Sequence, residues 1–182
     1  MRAINLLAAT DAAVAPFPDC SIPFAMLEPP LSAPELTAHV VRGVARLLLR
    51  HDCLTVTEVA LGNGRRADLM GLCAKGLVTI VEVKVSRADL LGDQKWTEYL
   101  DYCDRFFWAI PDSLDAGLLT RAGKFPERAG LIVANRYDAA VVREPVAVAL
   151  SGARRKAETL RFARRAARRM LGDLDDGVVR GV

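Results

Sequence analysis

Leu77-Val78-Thr79-Ile80-Val81-Glu82-Val83-Lys84-Val85 reads as a β-strand whose two faces can be assigned from alternation alone. One face is Leu77, Thr79, Val81, Val83 and Val85; the other begins with Val78 and Ile80 and then turns to Glu82 and Lys84. Apolar residues on both faces predict a strand covered on both sides, so its two charges do not simply face bulk water. A buried carboxylate and ammonium are costly unless they pair, bind a metal or do chemistry. Immediately upstream, Arg66 to Cys73 predicts another strand, joined by Ala74-Lys75-Gly76 with glycine where a three-residue hairpin needs a left-handed residue. That loop pairs Cys73 with Leu77. Asp68 then lies directly opposite Glu82, with β-carbons roughly 4.5–5.5 Å apart. A slip of one residue would send one carboxylate to the other face.

Working outward, Ser32-Ala33-Pro34-Glu35 is a capping box with proline in the first turn. Leu36, Val40, Val44, Leu47 and Leu48 follow at helical spacing, predicting a helix to about Arg50. Leu54 to Leu61 predicts a strand, and Asn63-Gly64 a turn. Beyond Lys84, Ser86-Arg87-Ala88-Asp89 can cap a helical turn that Gly92 breaks or bends. Asp93 to Cys103 is expected to be the main helix after the strand, and Phe106 to Ile110 a further strand. Leu131–Ala134 and Ala140–Val142 suggest a final hairpin around Tyr137-Asp138, and residues 151–171 favour helix. The expected fold is α/β, a mixed central sheet flanked by helices. Its parts are a proline-rich tail over 1–31, a core domain over 32–150 and a basic C-terminal helix over 151–182.

The 182 residues suffice for one domain with a real core. Cys20, Cys53, Cys73 and Cys103 form no Cys-x-x-Cys pair, and His39 and His51 lie far from any cysteine pair in sequence. Neither a zinc site nor a disulfide framework is indicated, and reduced thiols in a cytoplasmic protein are the better reading. No stretch approaches the length of a membrane span. The opening residues faintly imitate a secretory signal, but Asn5, Thr10 and Asp11 interrupt the apolar run, and Pro16, Pro18, Pro23, Pro29 and Pro30 favour a loose tail. The net charge of +3 is unevenly placed. Residues 154–169 hold eight cationic residues against Glu158 alone, a local +7 that leaves the rest of the chain at −4.

Two carboxylates facing each other repel, and a divalent cation relieves that repulsion. Hard oxygen ligands suit magnesium or manganese. Such an ion lowers the pKa of a bound water and stabilises charge on a phosphodiester oxygen, while Lys84 can orient that water or neutralise developing charge. Asp68 and Glu82 are the expected metal ligands, with the main-chain carbonyl of Val83 beside them. Glu58, on the first strand, and Glu35 compete for a further place; the capping box already accounts for Glu35, and Glu58 is as well suited to solvent. Alone, Glu-x-Lys is weak evidence, since on a half-exposed strand it is usually a surface ion pair.

The set Arg66-Ala67-Asp68, then Glu82-Val83-Lys84, resembles the PD-(D/E)xK nuclease superfamily, with alanine where its name has proline. The longer run is Arg65-Arg66-Ala67-Asp68, Val81 to Asp89, Asp93-Gln94-Lys95-Trp96-Thr97-Glu98-Tyr99 and Tyr102-Cys103-Asp104-Arg105. It is similar to the MmcB-like DNA-repair proteins over roughly residues 32–150. The resemblance implies a restriction-endonuclease-like fold, a role in DNA repair and a cytoplasmic bacterial protein. It implies a catalytic group of Asp68, Glu82, Lys84 and Glu58 that hydrolyses DNA by metal-activated water. It leaves room for an alternative, a catalytically inactive DNA-binding or scaffold module of the same fold. In that superfamily the helix after Glu-x-Lys can enter the site, which makes Gln94 and Lys95 candidates to touch phosphate; the alternative is a solvated Lys95. Trp96 and Tyr99 read better as core.

The expected partner is DNA, with no membrane contact and with pairing into a homodimer left open. Arg65 and Arg66 flank Asp68 and could clamp a phosphate, although Arg66 could instead neutralise the acidic cluster. On the C-terminal helix, Arg161 and Arg165 stand among basic groups on several faces, with Ala157, Leu160, Ala167 and Leu171 as a narrow apolar stripe for docking. Such a helix is a plausible phosphate-binding surface, and equally a solvated terminal helix.

Overall fold

The computed structural model describes residues 31–93, 95–117 and 127–179. The expected tail through residue 30 and Gln94 fall outside the described residues. In chain order the described elements are α1 (Ala33–Arg50), β1 (Cys53–Ala60), β2 (Arg66–Cys73), β3 (Val78–Val83) and α2 (Arg87–Gly92). A 3-10 helix (Trp96–Tyr102), β4 (Arg105–Pro111), β5 (Ala129–Ala134), β6 (Ala139–Arg143) and α3 (Gly152–Val179) follow. The strands form one open six-stranded sheet in the order β1-β2-β3-β4-β5-β6. The pairs β3/β4 and β4/β5 are parallel and the other three antiparallel, so the sheet is mixed and flanked by helices as expected.

The hairpin register is the expected one. Leu69 pairs with Val81, Met70 with Ile80, Gly71 with Thr79 and Leu72 with Val78. Gly76 takes the left-handed conformation (φ 72°), and its amide donates to the Cys73 carbonyl at 2.8 Å while the Cys73 amide donates to Leu77 at 3.0 Å. β3 is covered on both faces, with all six residues buried. One face, carrying Val81 and Val83, packs under Val40, Val44, Leu47 and Leu48 of α1, together with Leu69, Phe107 and Ile132. The Ser32–Glu35 capping box starts that helix. Gly43 allows it to approach the β5–β6 turn closely; a Cβ there would lie 2.3 Å from the Asn135 carbonyl oxygen and 2.6 Å from that of Asp138.

The other face, with Val78 and Ile80, meets an aromatic layer of Trp96, Tyr99, Tyr102, Phe106 and Trp108. Here the structure departs from the expected main helix over 93–103, which is a 3-10 helix from Trp96. Three residues per turn eclipse positions i and i+3. Trp96, Tyr99 and Tyr102 therefore line one edge and are all buried, with Tyr99 stacked on Phe106 at 6.0 Å and Trp96 tilted against it at 5.4 Å. An α-helix would fan those aromatics by 100° per residue and lose part of that layer.

The C-terminal helix also docks differently from its apolar pattern. Leu160, Ala167 and Leu171 are exposed, and the inward side carries Phe162, Ala166 and the fully buried Glu158. Arginines make the attachment. Arg154 lies over the Tyr102 ring at 4.5 Å and Arg165 Nε donates to the Thr57 carbonyl at 3.0 Å, while Arg161 pairs with Glu158 of the same helix at 2.7 Å. Arg155 forks onto Asp104, at 2.8 and 2.7 Å. Asp104 is 1% exposed and also accepts from the amides of Val78 (2.7 Å) and Leu150 (2.8 Å). One carboxylate thus ties the starts of β3 and β4 to the segment entering α3. Burial alone would raise the Asp104 carboxyl, but Arg155 and the two amides outweigh it and hold the group below the usual aspartate range.

Asp104→Ala strands a guanidinium and two amides, and is expected to cost about 3–5 kcal/mol in urea unfolding. In the parent protein the Asp104 contribution is present above pH ~3.8 and lost as pH falls through its depressed folded value. The variant should therefore show a weaker acid destabilisation below pH ~4.

Candidate active site at the fork of β2 and β3

The antiparallel ladder between β2 and β3 runs as far as Leu69–Val81. One step further, the side chains of the next opposed pair bond to the backbone. The Asp68 amide donates to Glu82 Oε1 at 3.2 Å, and the Val83 amide donates to Asp68 Oδ2 at 2.8 Å. Two carboxylates thus wedge into the fork where the strands part, one from each strand. The Lys84 amide turns the other way and donates to Ala109 of β4 at 2.9 Å. Val83, one residue earlier, directs its backbone groups towards β2, so its carbonyl is aimed into the same fork.

This acid pair is expensive to ionise. Glu82 is 5% exposed; burial first, then the charge of Asp68, pushes its carboxyl up to about 8. Burial also raises Asp68, with the Val83 amide and Lys84 pulling against it and Glu58 adding to it. Lys84 is 8% exposed, and its Nζ lies 2.9 Å from Asp93 and 3.4 Å from Asp89. Burial opposes its charge, yet those two acids more than offset the penalty and raise it. Lys84 is therefore a fixed cation. It borders a cleft of about 440 Å³ that Arg65, Asp89, Gly92, Asp93 and Lys95 also line.

Glu58 sits on β1 between the paired positions Thr57–Leu69 and Val59–Ala67, abreast of Asp68. Its φ is 58°, left-handed for a non-glycine residue inside a strand. The turn resets the alternation: Val56 joins the aromatic side of the sheet, and so do Val59 and Leu61 beyond it. The Glu58 side chain meets Arg66 Nε at 2.5 Å. The fork thus has an acid on each of three adjacent strands, with Glu58 drawn towards a cation.

Other expected contacts find different partners. Arg65 binds Glu98 through two hydrogen bonds, at 2.8 and 2.9 Å. Arg66 takes the neutralising role towards Glu58. Glu35 is engaged in the capping box and exposed. Lys95 is exposed at the cleft. Arg161 and Arg165 are held by Glu158 and Thr57 as described, and Arg164 and Arg168 are the exposed neighbours on that helix. Tyr99 belongs to the core as expected and to the site as well. Its hydroxyl donates to the Arg66 carbonyl at 3.3 Å, and its phenol is raised by burial and then by Glu82, Asp68 and Asp93. Asp93 stands in the run quoted from the sequence, but its pairing with Lys84 does not follow from it, because that contact spans α2.

Among the described residues no group of three or more His, Cys, Asp or Glu side chains comes together to hold a metal ion. The donors that do converge are two carboxylates, each with one oxygen on a backbone amide, and a carbonyl aimed beside them. That hard, sparse set fits magnesium, which keeps several waters and binds through one or two carboxylates together with substrate oxygens.

The fold and the fork define a mixed α/β protein with a buried acid pair and a fixed lysine at the end of a central strand. The chain belongs to the family described as DNA repair protein MmcB-like, whose match spans residues 29–176, and this membership points to a role in DNA repair. It is similar to a solved structure, the SPO1766 protein of unknown function from Silicibacter pomeroyi, at 41% identity and a TM-score of 0.71 over 78% of this chain and 92% of that one. No curated protein matches the chain. No described helix is long and apolar enough to cross a membrane.

Raised carboxyls make the folded state hold protons that the unfolded chain releases. The contribution of this pair to stability should therefore be fullest below pH ~4.5 and fall as pH rises towards 8, the value for Glu82. Glu82→Gln is expected to flatten that decline in denaturant melts between pH 5 and 9. Glu58→Gly should keep or raise stability by up to about 1 kcal/mol by relieving the left-handed backbone, whereas Glu58→Ala keeps the Cβ and gains nothing of the kind. Thermal melts of the two variants side by side decide it.

Proposed function

We propose that the protein is a PD-(D/E)xK-type nuclease of DNA repair, hydrolysing DNA phosphodiester bonds with magnesium or manganese at the β2–β3 fork. The observation that carries this reading is the pair of opposed carboxylates, Asp68 and Glu82, which accept from the amides of Val83 and Asp68 respectively, beside the fixed ammonium of Lys84. Asp68, Glu82 and the Val83 carbonyl would hold the ion. When bound, the ion supplies Lewis acidity, making a water more acidic and stabilising charge on the phosphoryl oxygens.

The chain's own groups do the rest. Lys84 keeps a positive charge where negative charge grows on the phosphate. Asp93 and Asp89 hold its side chain at the cleft, and the Tyr99 hydroxyl closes the side of the fork next to Arg66. Glu58 adds a third negative group abreast of Asp68, and Arg66 moderates it. Arg164 and Arg168 lie one helical turn apart on α3, and Arg165 ties that helix to Thr57, the residue before Glu58. DNA running along α3 would therefore lead its backbone towards the fork.

A second reading, a non-cleaving DNA-binding or scaffold module, is favoured by the degree to which the charges are already paired: Lys84 by two aspartates and Arg65 by Glu98. The two readings separate on one set of proteins. A nuclease loses about 10²–10³-fold in cleavage rate with Lys84→Met, and loses cleavage with Asp68→Ala. A binding module cuts nothing, and Glu82→Ala and Lys84→Ala leave its DNA affinity intact. Cleavage equal in the parent and Asp68→Ala would reject the site.

Manganese binding followed by calorimetry should strengthen from pH 6 to 9, because the ion displaces the proton held by Glu82, and should be lost in an Asp68→Asn/Glu82→Gln double variant. Replacing Arg164 and Arg168 by glutamine should weaken binding to all DNA sequences and reduce the salt slope by about 1 for each phosphate no longer neutralised.

A further inference from the structure

We propose that Cys53 and Cys73 form a reversible oxidation site, in which a peroxide converts the two thiols into a disulfide that staples β1 to β2. The inference is independent of the nuclease reading. Cys53 and Cys73 are paired positions of the antiparallel β1/β2 ladder, and both belong to the packing on the α1 side of the sheet. The pair is of the non-hydrogen-bonded kind. The Cys73 amide points to β3, where it meets Leu77, and the ladder bond comes one step later, from the Ala74 amide to the Asp52 carbonyl at 3.1 Å. At such positions opposed Cα atoms approach to about 4.5 Å and side chains lean together, inside the window of about 4.4–6.8 Å that a disulfide spans. Both are free thiols in the structure. The remaining described cysteine, Cys103, is buried on the opposite side, with its sulfur on the Tyr99 carbonyl.

The two thiols differ in a way that assigns their roles. Cys53 is 1% exposed, and burial, then its neighbour Cys73, pushes it up to about 12, so it waits as a thiol. Cys73 is half-buried and lines a cavity of about 300 Å³ together with Lys75, His51 and Arg105. The Arg105 guanidinium donates to its sulfur at 3.4 Å, a cation placed where an attacking sulfur carries charge. That cavity admits a molecule the size of hydrogen peroxide.

The chemistry closes without a further reactant. Cys73 sulfur attacks one peroxide oxygen, the O–O bond breaks, and the departing oxygen takes up a proton to leave as water. The resulting sulfenic acid is attacked by Cys53 sulfur; the S–O bond breaks and hydroxide leaves with the Cys53 proton as a second water. A thiol reductant reverses the link. The closed loop, residues 53–73, carries both Glu58 and Asp68.

The test uses the full chain, exposed to a few equivalents of hydrogen peroxide under native conditions. Remaining thiols are then blocked with N-ethylmaleimide, and the protein is mapped by mass spectrometry. The expected product is a monomer lighter by two hydrogens, with the Cys53 and Cys73 peptides linked, a raised thermal midpoint and full reversal by dithiothreitol. Cys53→Ser should leave Cys73 trapped as a dimedone-reactive sulfenic acid, and Arg105→Gln should slow linkage several-fold. Native protein whose Cys73 stays alkylatable after peroxide, or whose cross-links run to Cys20 or between chains, would overturn the proposal. That outcome is read on the unmutated chain, so a variant that fails to fold does not blur it.

Discussion

The register of β2 against β3 is the constraint from which the site follows. Once Gly76 closes the turn and Leu69 faces Val81, the next opposed residues are two acids, Glu82 buried and Asp68 partly so. The strands part there, and each carboxylate takes the backbone amide that the ladder leaves unpaired. Backbone polarity is satisfied in this way. Charge is not, because the amides offset only part of the burial and of the mutual repulsion, and Glu82 stays high. Two acids set side by side at the end of the central hairpin leave a negative charge that only a proton or a cation can relieve. Lys84 alone does not discharge it, since its ammonium is committed to Asp93 and Asp89.

The same logic governs the C-terminal helix. Its arginines look like a uniform basic surface, yet the tertiary contacts divide them. Arg155 and Arg161 engage buried carboxylates, Arg165 covers a carbonyl of the edge strand, and Arg154 lies on an aromatic ring. Arginine suits all three tasks, because its planar fork binds carboxylates in pairs and stacks on rings. The positive field left for a polyanion comes from the outward members, Arg164 and Arg168 among them. Because Thr57 receives Arg165 and Glu58 follows in sequence, helix and acidic fork share one short piece of backbone, bent by a left-handed residue. Residues held in such a conformation cluster at active sites, ligand clamps and switch regions.

The match to a DNA-repair family spans residues 29–176 and so includes the acidic fork. The family supplies the biological setting, and the nuclease chemistry proposed above is one way in which the fork would serve it. The cysteine pair lies on the same hairpin as Glu58 and Asp68, at the other end of the β1/β2 ladder, and concerns how firmly those two strands are joined rather than what they do.

Much of this was legible in the order of residues. Alternation along 77–85 told that β3 is covered on both faces, the Ala74-Lys75-Gly76 loop told the register, and the register put Asp68 opposite Glu82; all are local rules of backbone geometry. The capping box likewise announced α1 and accounted for Glu35. What tertiary structure alone decided were choices among local states that differ by about 1 kcal/mol, too little for sequence to settle. The aromatics at 96, 99 and 102 chose a 3-10 turn because Phe106 and Trp108 lay beneath them. Helix α3 turned Glu158 inward as Phe162 and Ala166 packed on the core while Arg155 met Asp104 and Arg165 met an edge carbonyl. Glu58 took a left-handed backbone, and Lys84 found Asp93, through contacts between segments whose meeting no periodicity records.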